Sequence, residues 1–286
     1  MKTHLDCIPC FLRQALQAAR FVTNDEQKQE EVLRAALSAL QQCNFCSTPP
    51  EIAHKVHFAV MDILGVNDPY QKVKAESNTV VLTMYKDLQK DISTSDDPLD
   101  MAVRLSIAGN IMDYGAREDF DIFKTIARVK ETTFAINHTQ KLKQDLDQAE
   151  TIAYIADNAG EIVFDKLFME TVDSTYSRKK WHLYVKSCPM VNDATEKDLH
   201  QVAFCEMDNI STGLITIDRE YDSRTDPVFL EALKKKDIVI SKGQGNYEAL
   251  STADLTIYFL LMVKCPVVAE DITADIGDIV VIAKKN

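Results

Sequence analysis

The sequence predicts an α/β protein, with a parallel, doubly wound sheet in its back half behind a helical front half. Three observations predict it. The first 145 residues carry apolar side chains at helical spacing, and no alternating strand pattern competes with them. From Glu150 onward, short apolar runs alternate with helical stretches. Polar turns follow several of these runs, at the strand ends where open α/β sheets bind ligands.

Composition narrows the function classes. The 286 residues are 46% hydrophobic and 27% charged, an ordinary globular balance. With 32 basic and 44 acidic side chains the net charge is -12. That disfavours nucleic acid or an anionic membrane as partner, since no surplus of cations exists to displace counterions. A small anion stays open, because a local cation overrules a global field. The longest apolar run, Leu255–Val263, is too short to span a membrane. The segment MKTHLDCIPC lacks a signal-peptide core, so a cytoplasmic location is expected. Seven cysteines, with Cys188, Cys205 and Cys265 isolated, argue against a secreted disulfide framework.

In the front half, Asp6–Arg20 and Gln27–Gln42 each place apolar residues on one helical face. Thr48 is a candidate N-cap for a helix opening at Pro49-Pro50, with Gly65 as its C-cap. Asp68-Pro69 opens a helix from Tyr70 to about Ile92, and Asp97-Pro98 opens one from Leu99 to about Tyr114. Asp119–Arg128 and Thr139–Leu146 read as shorter helices.

Two CxxC pairs lie here, Cys7/Cys10 and Cys43/Cys46. They meet only if the helix between them doubles back. Three readings stand: a structural or second metal, a redox pair, or cysteines acting as small apolar residues at helix ends. His4, His54, His57 and His138 read as surface or core residues rather than ligands. Gly109 inside a helical pattern costs about 1 kcal/mol relative to alanine, which suggests a close approach. Asn110 and Asp113, one turn apart, share a face with Ser106, and the spacing fits a packed polar face equally well.

In the back half, strand Thr151–Ala156 precedes a helix over Ile162–Val172, and strand Trp181–Val185 precedes one over Ala194–Val202. Strand Gly213–Ile217 leads to helix Pro227–Leu233, and strand Asp237–Ser241 to a short helix ending at Leu250. Strand Leu255–Met262, helix Val267–Ile272 and strand Asp278–Ala283 finish the chain. Five or six strands with helices on both faces are expected.

The polar turns then gather on one edge. Asp157, Asn158, Gly160 and Glu161 follow the first strand, and Asn192 and Asp193 the second. Lys242, Gly243, Gln244, Gly245 and Asn246 follow the fourth. Two aspartates and an asparagine offer oxygen ligands to a divalent ion. The glycines admit backbone N–H groups to an anion, and Lys242 offers it a point charge. A metal beside an anion cradle suits phosphoryl hydrolysis, with water read as the attacking group in preference to an aspartate. A dinucleotide fingerprint, a P-loop and a nucleophile elbow are all missing.

Seven segments in order resemble one family: DCIPCFLRQAL (Asp6–Leu16), TPPEIA (Thr48–Ala53), DPY (Asp68–Tyr70), AGNIMDYG (Ala108–Gly115), DNAGEIVFDKL (Asp157–Leu167), PMVNDAT (Pro189–Thr195) and SKGQGNYE (Ser241–Glu248). The chain resembles the metal-dependent damage-control phosphatases, the domain-of-unknown-function-89 family, in its prokaryotic branch with an N-terminal CxxC. The resemblance implies a three-layer α/β/α Rossmann-like domain over about 149–286, with a helical N-terminal domain over about 1–148. It implies a divalent cation, manganese, cobalt, nickel or magnesium, held by Asp157, Asn158 and Asp193. Lys242 falls at the position expected near the phosphate, and Asn110 and Asp113 at a motif facing the substrate. The implied substrates are phosphate esters of small metabolites, including sugar phosphates. The Cys43/Cys46 pair is not part of the family pattern. The reading is a metal-dependent phosphatase. Its rivals are a phosphometabolite-binding or thiol-redox regulatory protein, and a donor-dependent transferase.

Overall fold

The computed structural model describes residues 1–109 and 122–284; Asn110 and Asp113 lie outside them. Helices α1 (Cys7–Val22), α2 (Glu26–Gln41) and α3 (Pro49–Leu64) close on a cluster that includes Phe11, Ala15, Val32, Ala36, Ile52 and Val56. The start of α3 is fixed by a capping box in which Thr48 N donates to Glu51 Oε2 at 2.7 Å. Its end is fixed by Gly65 at φ 66°.

The helix expected from Tyr70 to Ile92 is two, α4 (Gln71–Thr83) and α5 (Tyr85–Thr94), divided at Met84. The break follows Thr79-Val80-Val81 and Thr83. There the hydroxyls of Thr79 and Thr83 return to the carbonyls of Ala75 and Val80, and branched side chains weaken the helix further. Helices α6 (Pro98–Gly109), α7 (Ile122–Glu131) and α8 (Thr139–Gln148) complete the front half.

Among the described residues the sheet has seven strands, more than the five or six expected. They are β1 (Ile136–Asn137), β2 (Thr151–Ile155), β3 (Lys180–Lys186), β4 (Ile210–Ile215), β5 (Ile238–Lys242), β6 (Ile257–Met262) and β7 (Ile279–Lys284), in the order β1-β7-β6-β5-β2-β3-β4. The extra strand, β1, comes from the half read as wholly helical; two residues are too few to show alternation. All neighbours pair in parallel except β6 and β7.

Strand β2 has two buried faces. Ile152 and Tyr154 enter a core shared with Leu99, Leu105, Leu142 and Phe168, whereas Ala153 and Ile155 enter one shared with Phe229, Tyr247, Leu250 and Val268. Helix α9 (Glu161–Thr175) covers the first face with α5–α8. The short α10 (Glu196–Gln201) docks on α4, where Asn78 Nδ2 donates to Asp198 Oδ1 at 3.0 Å. Helices α11 (Pro227–Lys234), α12 (Gln244–Leu250) and α13 (Pro266–Ile272) cover the second face. The last of these sits inside the loop between β6 and β7 and does not cross over to a parallel partner. Val263 N donates to Asp278 O and Gly277 N to Val263 O, so that loop closes like a hairpin around the helix. The result is a three-layer α/β/α arrangement whose first core runs across the 148/149 boundary. Among the described residues no helix is long and apolar enough to cross a membrane.

Gly109 marks where α6 and α9 touch. A Cβ there would lie 2.8 Å from Phe164 Cδ2 and 3.0 Å from Glu161 Cα, and the latter is backbone that cannot step aside. Gly109→Ala is therefore expected to lower stability by about 1–3 kcal/mol despite alanine's better helix propensity. Urea unfolding measures this, and a variant as stable as the parent would show that the two helices are free to separate.

Candidate active site

The turn after β2 and the turn after β3 are fastened by backbone. Ala159 N donates to Asn192 O (2.9 Å) and Ala194 N to Asp157 O (2.8 Å), setting Asn158 opposite Asp193. Asn158 Nδ2 donates to Asp157 Oδ2 (2.8 Å) and Glu161 Oε2 (3.1 Å), so its oxygen is the end left for a ligand. Burial pushes the Asp157 carboxyl up to about 8, helped by the charges of Glu161 and Asp193 and opposed by Lys264 and Lys186. Asp193 is raised as well, by burial first, against the pull of Lys186 and Arg224. Among the described residues no three His, Cys, Asp or Glu side chains form a ready-made metal cluster. The oxygen donors on offer are two aspartates and one carboxamide.

The turn after β5 serves this corner differently from the sequence expectation. Gly243, at φ 77°, spends its N–H on Leu260 O (3.2 Å), and a Cβ on it would sit 1.8 Å from Asp157 Oδ2. It is the floor beneath the Asp157 carboxylate rather than an open cradle. Gln244 bonds Glu248 Oε1 (3.0 Å), Cys265 Sγ (3.3 Å) and Lys264 N (3.0 Å). Gly245 has open space at its Cβ position. Gly160, at φ 78°, gives its N–H to Asn78 Oδ1 (2.6 Å) on α4.

Asn246 is a hub. Its amide nitrogen donates to Ala156 O and Lys242 O, and its oxygen accepts from Lys186 Nζ (3.0 Å) and Arg224 Nη1 (2.8 Å). Lys186 Nζ is 3.8 Å from Asp193 Oδ2, and Arg224 is gripped by both oxygens of Asp222. These two buried cations beside the carboxylate corner were missed from sequence. Lys186 carried a usable signal: it extends the His182–Tyr184 row of β3, opposite the buried Trp181, Leu183 and Val185, at the same strand end as Asp157. Arg224 carried none, because only tertiary folding brings its short turn to the edge.

The sequence profile of the damage-control phosphatase ARMT1-like domain matches residues 3–280. The chain belongs to this family. It is similar to a damage-control phosphatase of Archaeoglobus fulgidus, 34% identical over 98% of each chain. A damage-control phosphatase of Pyrococcus horikoshii is 28% identical over 100% of this chain and 99% of that protein. The crystal structure of a family member from the same organism superposes with a TM-score of 0.85 at 26% identity, covering 100% of each chain. Phosphatase is the activity class that this membership supports.

In this damage-control phosphatase fold Lys242 does not face an open position. Its fully buried ammonium donates to Glu161 Oε1 (2.7 Å), Asp165 Oδ1 (2.7 Å) and Ser106 O (2.9 Å), using all three hydrogens. It braces Glu161, which in turn holds Asn158.

The shared metal centre considered for Cys7, Cys10, Cys43 and Cys46 is not formed. All four are free thiols, and among the described residues they make no metal-ligating group. The reason lies in the second pair: Cys7 and Cys43 both pack against the α1–α3 cluster, but Cys46 does not. The second pair is itself divided. Cys43 Sγ donates back to Ala39 O (3.3 Å) at the end of α2, whereas Cys46 is exposed in the turn beyond it, its backbone N–H given to Asn44 Oδ1 (2.9 Å).

Lys242→Met should destabilise the fold by about 3–5 kcal/mol, because two buried carboxylates lose their counter-ion. A variant of unchanged stability with only a raised KM would instead return Lys242 to the role of a substrate ligand.

Proposed function

We propose that this chain hydrolyses phosphate monoesters of small metabolites, sugar phosphates or related damaged phosphometabolites, using a divalent cation held by Asp157, Asn158 and Asp193. One observation carries the reading: two turns clamped by reciprocal backbone bonds bring Asp157-Asn158 beside Asp193, next to the cations gathered at Asn246. The donor set fits manganese, cobalt, nickel or magnesium, which take carboxylate and carbonyl oxygens. When bound, such an ion polarises a phosphoryl oxygen and lowers the pKa of a water.

The chain's own groups divide the remaining work. Lys186 gives one N–H to Asn246 and has further hydrogens for a phosphate oxygen. Arg224, held by Asp222, Asn246 and Gly245, lends its charge from behind. The strain of like charges around Asp157 is relieved once positive charge reaches it. Glu161, braced by Lys242, keeps Asn158 turned toward Asp157.

The test is turnover of p-nitrophenyl phosphate and a panel of sugar phosphates with each metal in turn. Asp157→Ala and Asp193→Asn are expected to lower kcat by about 100-fold or more, and Lys186→Met to raise KM. Binding without turnover under every metal would favour a phosphometabolite-binding protein, and dependence on a phosphoryl donor a transferase. A cation must also displace the proton that Asp157 holds below about pH 8. Manganese affinity should then weaken by up to about tenfold per pH unit as pH falls from 8 to 6, read by calorimetry. Affinity that is flat with pH would place the ion elsewhere.

A further inference from the structure

The turn that presents Asp193 has a conformation its sequence resists. Asp193 N donates to Met190 O (2.9 Å), closing a four-residue turn, and Val191 at its second position has φ 47°. Mirror-image turns reserve that position for glycine, asparagine or aspartate, because a β-branched side chain there collides with its own backbone. The surroundings hold it in place. Val191 N donates to Nε2 of His57 on α3, a long bond of 3.4 Å. The Val191 side chain rests against the α1–α3 cluster, beside a cavity of about 10 Å³ lined by Phe11, Val56, Val60 and His57. His57 is 6% exposed, and burial pushes its pKa down to about 4, with Lys74 adding to the effect. Its ring is thus neutral at pH 7 and keeps one nitrogen as an acceptor.

We propose that His57 is a positioning residue for the carboxylate corner. By accepting the Val191 N–H and walling its side chain, it keeps the turn left-handed, so that Asn192 O and Ala194 N meet Ala159 N and Asp157 O and Asp193 stays opposite Asn158. The effect on a metal rests on the reading of that corner as the cation site. The hold on the turn does not.

The full chain is tested as His57→Leu, His57→Gln, Val191→Gly and the double variant His57→Leu/Val191→Gly. Manganese binding without substrate is followed by electron paramagnetic resonance, and amide exchange at Val191 and Asp193 is followed in metal-free protein. His57→Leu is expected to weaken manganese binding by about 10- to 100-fold and to speed exchange at both amides by roughly tenfold. His57→Gln, which retains an acceptor, stays near the parent value. Adding Val191→Gly to His57→Leu restores binding, since glycine adopts a positive φ without help. Unchanged exchange and affinity in His57→Leu would overturn the proposal. So would an affinity loss that Val191→Gly fails to restore, because His57 would then act as filler and not through the turn. A parent chain that binds no manganese would sink the cation-site reading alone, with exchange at Val191 and Asp193 still deciding the role of His57.

Discussion

A lysine ammonium sealed in the interior is the constraint around which the site is arranged. Lys242 stands at the end of β5, and its three bonds reach the N-terminal turn of α9, the next turn of that helix and a backbone carbonyl of α6. One charge thus ties a strand to two helices from different halves of the chain. Neither acid could be buried there alone, since an uncompensated carboxylate in the interior costs several kcal/mol. The same charge sets the position of Glu161, and through it the orientation of Asn158. The polar machinery at the sheet edge therefore stands on a polar foundation inside the core.

Above that foundation, charge of one sign is concentrated and charge of the other is held close by. Asp157 and Asp193 are both driven toward protonation by burial, while Lys186 is driven toward neutrality by burial and by Arg224. Asn246 keeps the two cations from separating, and Asp222 keeps Arg224 from turning into the site. Backbone supplies the rest of the rigidity, through the clamp between the two acidic turns and the floor provided by Gly243. Such pre-set fields favour reactions in which charge is redistributed over phosphoryl oxygens.

What the sequence revealed and what it hid follow a physical line. The strand–turn–helix at Thr151–Thr175 and the capped helix at Pro49–Leu64 were legible because hydrophobic period, capping residues and glycine all act within a few positions. The split at Met84 is also local, but several weak effects had to be summed to see it. Strand β7 was legible, but strand β1 was hidden, since its pairing depends on a distant partner. The antiparallel direction of β7 was hidden because a helix in the loop reads as a crossover. The direction of Lys242 was readable in principle. It continues the Ile238–Ile240 row of β5, which faces the α9 side, although a lysine beside a glycine turn invites an outward reading. The separate fates of Cys43 and Cys46 were not readable, because a CxxC spacing says nothing of which thiol folds back on the helix that ends before it. Arg224 and Asn78 reach the site only through the assembled fold.

The pairing of β1 with β7 has a consequence for the order of assembly. Ile136 and Val280 come from positions half the chain apart, so β1 and β7 meet only when both halves are present. Until β7 is in place, the edge of the sheet beyond β6 is open. The flank of β6, apolar along its whole length, is then exposed as a template. A chain in which β7 has not docked would offer that flank to other chains, so β7 acts as a closing seam against aggregation as well as a strand.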